Sequence, residues 1–322
     1  MFFRRYNAFW ALLAFLISIS ACLAKDQVKD EAPKKLSVQK DRYLRIAKDA
    51  DGESEALQTA IIRLVPKDPK KGKLVVDLVG AIHVAEPEYY DQLNREFDKY
   101  DAVLYELVAP EGTRPEQGRN KNVGVLGSMQ HGLTDLLDLE HQLEGIDYKR
   151  DHFVHADLSP AEFAKSMRER KESVFGYAVR LFAASSAQQA ARQNGSADDM
   201  AVLGALFSKN RGGNLKRAMA PQFVDMEMTM LLVDGPKGST LISARNQKAL
   251  DILKEQIGEG KKKIAIFYGA GHLPDLERRA IKQFDLKRGG ETRWLEAWDL
   301  RAKEKEEKKE AADASKPTKK AG

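Results

Sequence analysis

The stretch Lys262–His272, KKIAIFYGAGH, decides how this chain is read. A strand-long run of β-branched and aromatic residues stops at Gly269, and a histidine stands three residues on. The same frame occurs about 190 residues earlier in Lys73–His83, KLVVDLVGAIH, where Gly80 precedes His83 by three. The downstream sequence repeats as well. Pro87 opens a helical stretch (Glu88 to Lys99) that leads to an apolar strand, Ala102–Leu107. Pro274 opens another (Asp275 to Phe284) that leads to Arg293–Trp298. Proline suits a first helical turn, which needs no amide hydrogen. The unit strand, Gly-x-x-His, helix, strand therefore occurs twice. An open α/β sheet places its ligands at the carboxyl ends of such strands.

Outward from these units, Thr59–Val65 reads as a strand. The turn residues Lys67–Gly72 join it to Leu74–Val79 as a hairpin. The middle of the chain is mostly helical. Leucines 133, 136, 137 and 143 keep helical spacing, and Phe153–Asp157 forms a short strand. Ser159, Pro160 and Glu162 make a capping box with proline at the first helical position. Helical patterns continue through Phe175–Arg192, Met200–Phe207, Pro221–Leu232 and Ser239–Ile257, broken at Gly212–Asn214 and Asp234–Gly238. The expected architecture is α/β. A central mixed sheet is flanked by helices on both faces, and a helical insertion of roughly 100 residues lies over the strand ends.

The amino terminus reads differently. Arg4 and Arg5 precede an apolar run, Ala8–Ile19, too short for a stable span, so residues 1–21 have the layout of a secretory signal. Cys22, the single cysteine, directly follows Ile19, Ser20 and Ala21, which resembles a bacterial lipobox. The expectation is an exported lipoprotein anchored at Cys22 in the cell envelope, on the periplasmic side of an outer membrane if the host has one. With one cysteine, neither an internal disulfide nor a cysteine–zinc centre is available. Residues 22–50 read as a charged linker, 51–300 as the domain, and 301–322 as a disordered Lys/Glu/Ala tail. Much of the +5 net charge lies in that tail, and no basic patch interleaved with aromatics points to nucleic acid.

Several positions are candidates to carry chemistry. A lone histidine after a strand is usually structural, but His83 and His272 share one local frame. Gly80 and Gly269 let the backbone turn sharply as it leaves the sheet, and Gly271 permits close backbone approach to a ligand. Adjacent motif strands would bring both rings to one metal or one reacting carbonyl. Glu106 lies in a run apolar enough for a central strand, where a carboxylate is costly unless paired or metal-bound. Its counterpart Glu296 has polar flanks and reads as an exposed strand face. His155 and Asp157 alternate onto one face near a strand end, where they offer a ligand or an acceptor that fixes a histidine tautomer. His131, His141 and His152 follow no pattern, and the HExxH metalloprotease motif is absent. Arg245 and Asn246 sit in a helix, where arginine is normally a surface charge.

Taken together these residues resemble the TraB/PrgY–TIKI–GumN superfamily, related in fold to ChaN and the erythromycin esterases. The resemblance rests on Gly80–His83, Gly269–His272, Glu106 at a strand end, and Arg245–Asn246 ahead of the second motif. It implies a site in which His83, Glu106, Arg245 and His272 converge. It also implies a metal-dependent hydrolase, peptidase-like, acting on a peptide or other acyl substrate. His83, Glu106 and His272 would hold manganese or cobalt, with zinc or iron equally compatible with such ligands. Glu106 would be a third ligand or the base, and Arg245 would stabilise an oxyanion. A histidine and Glu106 working without metal, as in the esterase relatives, is also open. The alternative is a lipoprotein of ChaN type that binds haem or another ligand without turnover. The chain lacks the membrane span of TIKI and TraB proteins, and its Trp294–Trp298 segment departs from the usual glycine-rich ending.

Overall fold

One long strand sets the frame. The computed structural model describes residues 43–116, 137, 139–173, 175–181, 183, 204–205, 208, 210–235 and 237–301. The signal segment, Cys22, most of the linker and the tail lie outside these residues, as do His131, Leu133 and Leu136. Strand β1 (Leu44–Lys48) pairs antiparallel with β2 (Ser54–Pro66), Leu44 facing Thr59. Farther along the same edge of β2 lies β3 (Val75–Ala81), with Ile61 facing Val79. This is the expected hairpin. On the opposite edge of β2, β9 (Leu286–Arg288) and β10 (Arg293–Asp299) lie one after the other.

The parallel half begins at β3. It pairs with β8 (Lys263–Gly269), β8 pairs with β5 (Ala102–Tyr105), and β5 pairs with β7 (Phe153–His155). The sheet is therefore mixed, in the order β1-β2-β3-β8-β5-β7. The two motif strands are immediate neighbours, with Gly80 level with Tyr268 and Ala81 level with Gly269. A small second sheet pairs β4 (Val84–Ala85) with β6 (Glu140–His141).

Strand alternation divides the core in two. Ile264, Ile266 and Tyr268 of β8 face one side with Leu250, Leu253, Leu273 and Leu276. Ala265 and Phe267 face the other with Tyr89, Phe97, Tyr105 and Phe153. Helix α1 (Pro87–Phe97) covers the second face, and α2 (Pro160–Glu169) and α3 (Arg211–Asp234) belong to the insertion. Helices α4 (Arg245–Gly258) and α5 (Leu273–Phe284) cover the first face. Each such fully buried side chain stabilises the fold by about 1.5–3 kcal/mol. The buried carboxylate of Asp77 in β3 is matched across the register by Arg63, with two hydrogen bonds of 2.9 Å, and by the Tyr100 hydroxyl at 2.7 Å.

Several local expectations hold and others change. The capping box at α2 is complete, Ser159 and Glu162 bonding reciprocally. Strand β1 lies inside the segment read as linker, because Tyr43 and Leu44 are buried core residues. Gly212 and Gly213 do not break a helix. They lie in the first turn of α3, which runs on through Pro221, and the burial of Leu215, Ala220 and Val224 outweighs local propensity. The leucine-spaced stretch ends in β6 and one helical turn, Gln142–Gly145. The helix expected over 239–257 begins with a π-turn, Thr240–Ala244, capped by Ser239. The two units match as far as their helices. Then α1 leads to β5, beyond β8 and parallel to it, whereas α5 leads to β9 and β10, antiparallel to β2. Among the described residues no helix is long and apolar enough to cross a membrane.

Gly80 does not serve to turn the chain. It lies within β3 without a positive φ, and a Cβ there would meet Leu273 Cδ2 at 3.1 Å and the Ala60 carbonyl at 3.2 Å. Its missing side chain lets α5 close on the sheet. Gly80→Ala should therefore cost about 1–3 kcal/mol through overpacking. Urea unfolding measures this, and an unchanged midpoint would show that Leu273 has room to yield.

Candidate active site

The register of β3 against β8 delivers both motif segments to one end of the sheet. His83 lies in the bend between β3 and β4, and His272 closes the 3-10 turn Ala270–His272 that leads into α5. Glu106 is the first residue past β5, its N–H donating to the Phe267 carbonyl at 3.2 Å. β5 is central rather than an edge strand, so its carboxylate faces the cleft with 10 % of its side chain exposed. Glu296, by contrast, is exposed on β10. Arg245 opens α4 directly after the π-turn, a geometry that recurs where helices present functional groups.

Gly269 marks the point of convergence. A Cβ there would stand 3.3 Å from Glu106 Oε2, 3.8 Å from His83 Nε2 and 3.9 Å from His272 Cδ2. Its φ of −50° is ordinary, so this glycine too supplies space rather than a turn. Gly271 likewise makes room for a side chain, since a Cβ there would meet Met230 Cγ at 3.2 Å.

Arg245 ties the groups together. Its Nε donates to Asp157 Oδ1 at 3.0 Å, and its Nη2 donates to Asp157 Oδ2 and to Glu106 Oε1, both at 2.6 Å. The remaining nitrogen, Nη1, lies 3.4 Å from His272 Nε2. Glu106 Oε2 accepts from the Gly269 N–H at 2.6 Å. Burial alone would raise the Glu106 carboxyl, but Arg245 first, then the His272 and His83 imidazoles and the Gly269 amide, hold it well below the usual carboxylate range. Burial also opposes the charge on Arg245, which Glu106 and Asp157 more than restore. For His272 burial prevails and lowers its pKa to about 4, so the ring is neutral at neutral pH and Arg245 is what keeps Glu106 ionised. One guanidinium between two carboxylates leaves this buried set with a net charge of about −1.

Both imidazoles are held in one tautomer. Asn246 donates from Nδ2 to Asp275 Oδ2 at 2.9 Å and to the His272 carbonyl at 3.2 Å, and both partners can only accept. Asn246 Oδ1 must then face His272 Nδ1, at 2.7 Å, so the ring proton sits on Nδ1 and Nε2 presents its lone pair. Arg278 and Arg279 hold Asp275 in place, the latter at 2.6 Å. For His83 the same service comes from Gln142, whose Oε1 faces Nδ1 at 3.0 Å and whose Nε2 donates to the Tyr148 hydroxyl at 2.9 Å.

Asp157 and His155 part company. Asp157 is 1 % exposed and orients Arg245 rather than a histidine. His155 bonds the Leu107 carbonyl at 2.6 Å and packs against Tyr105, which makes it structural. His152 bonds the Phe97 carbonyl and His141 lies in β6. Sequence reading missed Gln142, which carries no local signal, and Asp275, whose place after Pro274 in the second motif was a usable one.

The four converging residues line a cleft of about 270 Å³ whose other walls are largely apolar. His83 Nε2 offers it an open lone pair, whereas His272 Nε2 and Glu106 Oε1 both face Arg245. Among the described residues no cluster of three or more His, Cys, Asp or Glu is arranged as a metal centre. Comparison with protein-family models and with curated proteins finds no match for this chain.

The neutral His272 predicts a pH dependence of stability. Its folded value of about 4 lies below the unfolded value of ~6.5, so the unfolded chain takes the proton first. Stability contributed by the neutral ring is complete above about pH 6.5 and is lost towards pH 4, to a total of about 3 kcal/mol. Glu106 adds its own loss only below about pH 4.3. Urea titrations between about pH 7 and about pH 4.5 should show this slope, and His272→Gln should flatten it. An equal slope in both proteins would assign the dependence to other groups.

Proposed function

We propose that the chain is a hydrolase of a peptide or other acyl bond, tethered in the cell envelope through Cys22. On this reading it is a distant member of the TraB/PrgY–TIKI–GumN superfamily. One observation carries the proposal: His83, Glu106 and His272, far apart in sequence, surround a single point at the strand ends, with Arg245 bonded to Glu106 and facing His272.

His83 is the general base. It is the one exposed member of the set, its Nδ1–H is engaged by Gln142, and its Nε2 is free to take a proton from the attacking water. Glu106 is held too firmly by Arg245 and the Gly269 amide to serve as the base. Its charge, with that of Asp157, instead stabilises the imidazolium that forms on His83. Arg245 supplies a fixed positive charge whose Nη1 carries no carboxylate, and that edge polarises the carbonyl and steadies the oxyanion. Asp157 positions the guanidinium so that this charge needs no reorganisation during the reaction. His272 holds Nη1 in place as a neutral acceptor.

A divalent cation would find His83 Nε2 open, but His272 Nε2 and Glu106 would join it only if Arg245 withdrew from both of them. With that withdrawal His83, His272 and Glu106 would hold it, and the metal would supply Lewis acidity and a bound water of lowered pKa. The apolar lining and exposed imidazole favour a second reading, a ligand-binding lipoprotein. A cleft of about 270 Å³ is nevertheless small beside the ~300–1,000 Å³ of pockets for drug-sized ligands, and haem would require its walls to part.

Three measurements test these readings. Peptide and ester substrates, screened with and without manganese, should be hydrolysed, and His83→Ala should lower turnover by about 10²–10⁴-fold. Turnover indifferent to His83→Ala would falsify the proposal. Metal analysis of wild type beside His83→Ala and His272→Ala decides the cation, since equal content in all three removes it. A Soret shift on adding haem, without hydrolysis, would favour the binding protein. Gly269→Ala should keep the fold, because its backbone suits alanine, and should lose turnover because the methyl enters the point of convergence.

A further inference from the structure

The cleft is lopsided in its chemistry. Its polar end is the set just described, and its remaining wall is formed by Leu44, Ile82, Phe223, Met230, Leu241 and Ile242. These come from β1, the bend after β3, helix α3 and the π-turn, so α3 and the π-turn together supply four of the six. Among the described residues the only formal charges on the lining are Glu106 and Arg245, and these are bonded to each other at 2.6 Å. A charged substituent entering the cleft would lose its hydration and find no free counter-charge there. An apolar one would cover surface that is otherwise left against water.

Two wall residues are fixed and one is adaptable. Phe223 meets Trp298 edge-on with ring centres 4.6 Å apart, and Trp298 Nε1 donates to the Val84 carbonyl at 2.7 Å. Ile242 is anchored in the capped π-turn, its N–H bonded to Ser239 Oγ at 3.1 Å. Met230 lies over Gly271, where a Cβ would stand 3.2 Å from its Cγ and press it back. Methionine's flexible thioether adjusts to occupants of different shape.

We propose that this wall is the acyl subsite of the hydrolase, shaped for one uncharged aliphatic or single-ring group attached directly to the carbonyl under attack. The inference rests on the hydrolase reading. A carbonyl laid against Arg245 Nη1 has His83 and the incoming water on one flank, which leaves its substituent the apolar wall. The volume of about 270 Å³ is roughly nine times the ~30 Å³ share of a water molecule, enough for a leucine- or phenylalanine-sized acyl group.

The test uses binding and turnover separately. In the purified chain, labelled at methionine methyl groups, the Met230 signal is identified by its loss in Met230→Leu. Hexanamide and 3-phenylpropanamide should shift that signal, and the negatively charged succinamate should not. Leu241→Lys, at a half-buried position, should weaken hexanamide binding at least tenfold, and Met230→Trp should do so by filling the cleft if the lysine variant fails to fold. In turnover, p-nitrophenyl hexanoate should exceed the acetate in kcat/KM by at least tenfold, the scale on which apolar pockets discriminate methylene groups. A Met230 signal indifferent to all three amides, or equally responsive to succinamate, overturns the subsite. Binding as described with no hydrolysis of any ester sinks the hydrolase reading and leaves an apolar ligand site. Hydrolysis without chain-length preference or Met230 response does the reverse.

Discussion

Everything at the strand ends depends on one buried guanidinium held between two carboxylates. Removing a charged group from water costs several kcal/mol, and only dense hydrogen bonding offsets it. Arg245 meets that demand with Asp157 on one edge and Glu106 on the other. The three residues come from α4, the segment after β7 and the segment after β5, so the ion cluster fixes three parts of the fold relative to one another. Loss of one partner would strand a charge in the interior, which typically costs about 3–5 kcal/mol. The arrangement is therefore a scaffold that also sets the charge presented to the cleft. Its stability and that fixed charge have the same source.

The imidazoles are treated differently, and the difference divides their labour. His272 is buried, neutral and locked through Asn246 and Asp275. His83 is exposed and held by a single amide from Gln142. The exposed ring lines the cleft, and the buried ring turns its Nε2 to Arg245.

Much of this was legible in the chain, for physical reasons. The repeated apolar run ending in Gly-x-x-His gave strand, loop and helix in order, and the adjacency of β3 and β8 is natural once both are parallel strands. A carboxylate in the run before Leu107 signalled an unusual partner, and Arg245 is that partner. The purpose of the glycines was not legible. Gly80, Gly269 and Gly271 look like turn residues, yet each makes room for a neighbour: Leu273, the convergence point and Met230. Contacts between residues far apart in sequence leave no local mark, which is also why Gln142 escaped notice. The breaks assigned at Gly212–Asn214 failed because tertiary burial along α3 outweighed the local cost of glycine and proline.

The sheet order carries a consequence for how the molecule assembles. β1, β2 and β3 lie close in sequence and can pair as soon as they exist, but the outer edge of β3 waits for β8, which lies beyond residue 262. Until Lys263–Gly269 arrives, a nascent or truncated chain presents β3 as an open parallel edge, with Val76, Leu78 and Val79 uncovered. Such edges invite pairing with other chains. Contacts so distant in sequence also make for slow folding. During synthesis the two histidine segments can therefore meet only after His272 has been made, so a fragment that stops short of β8 is an aggregation hazard.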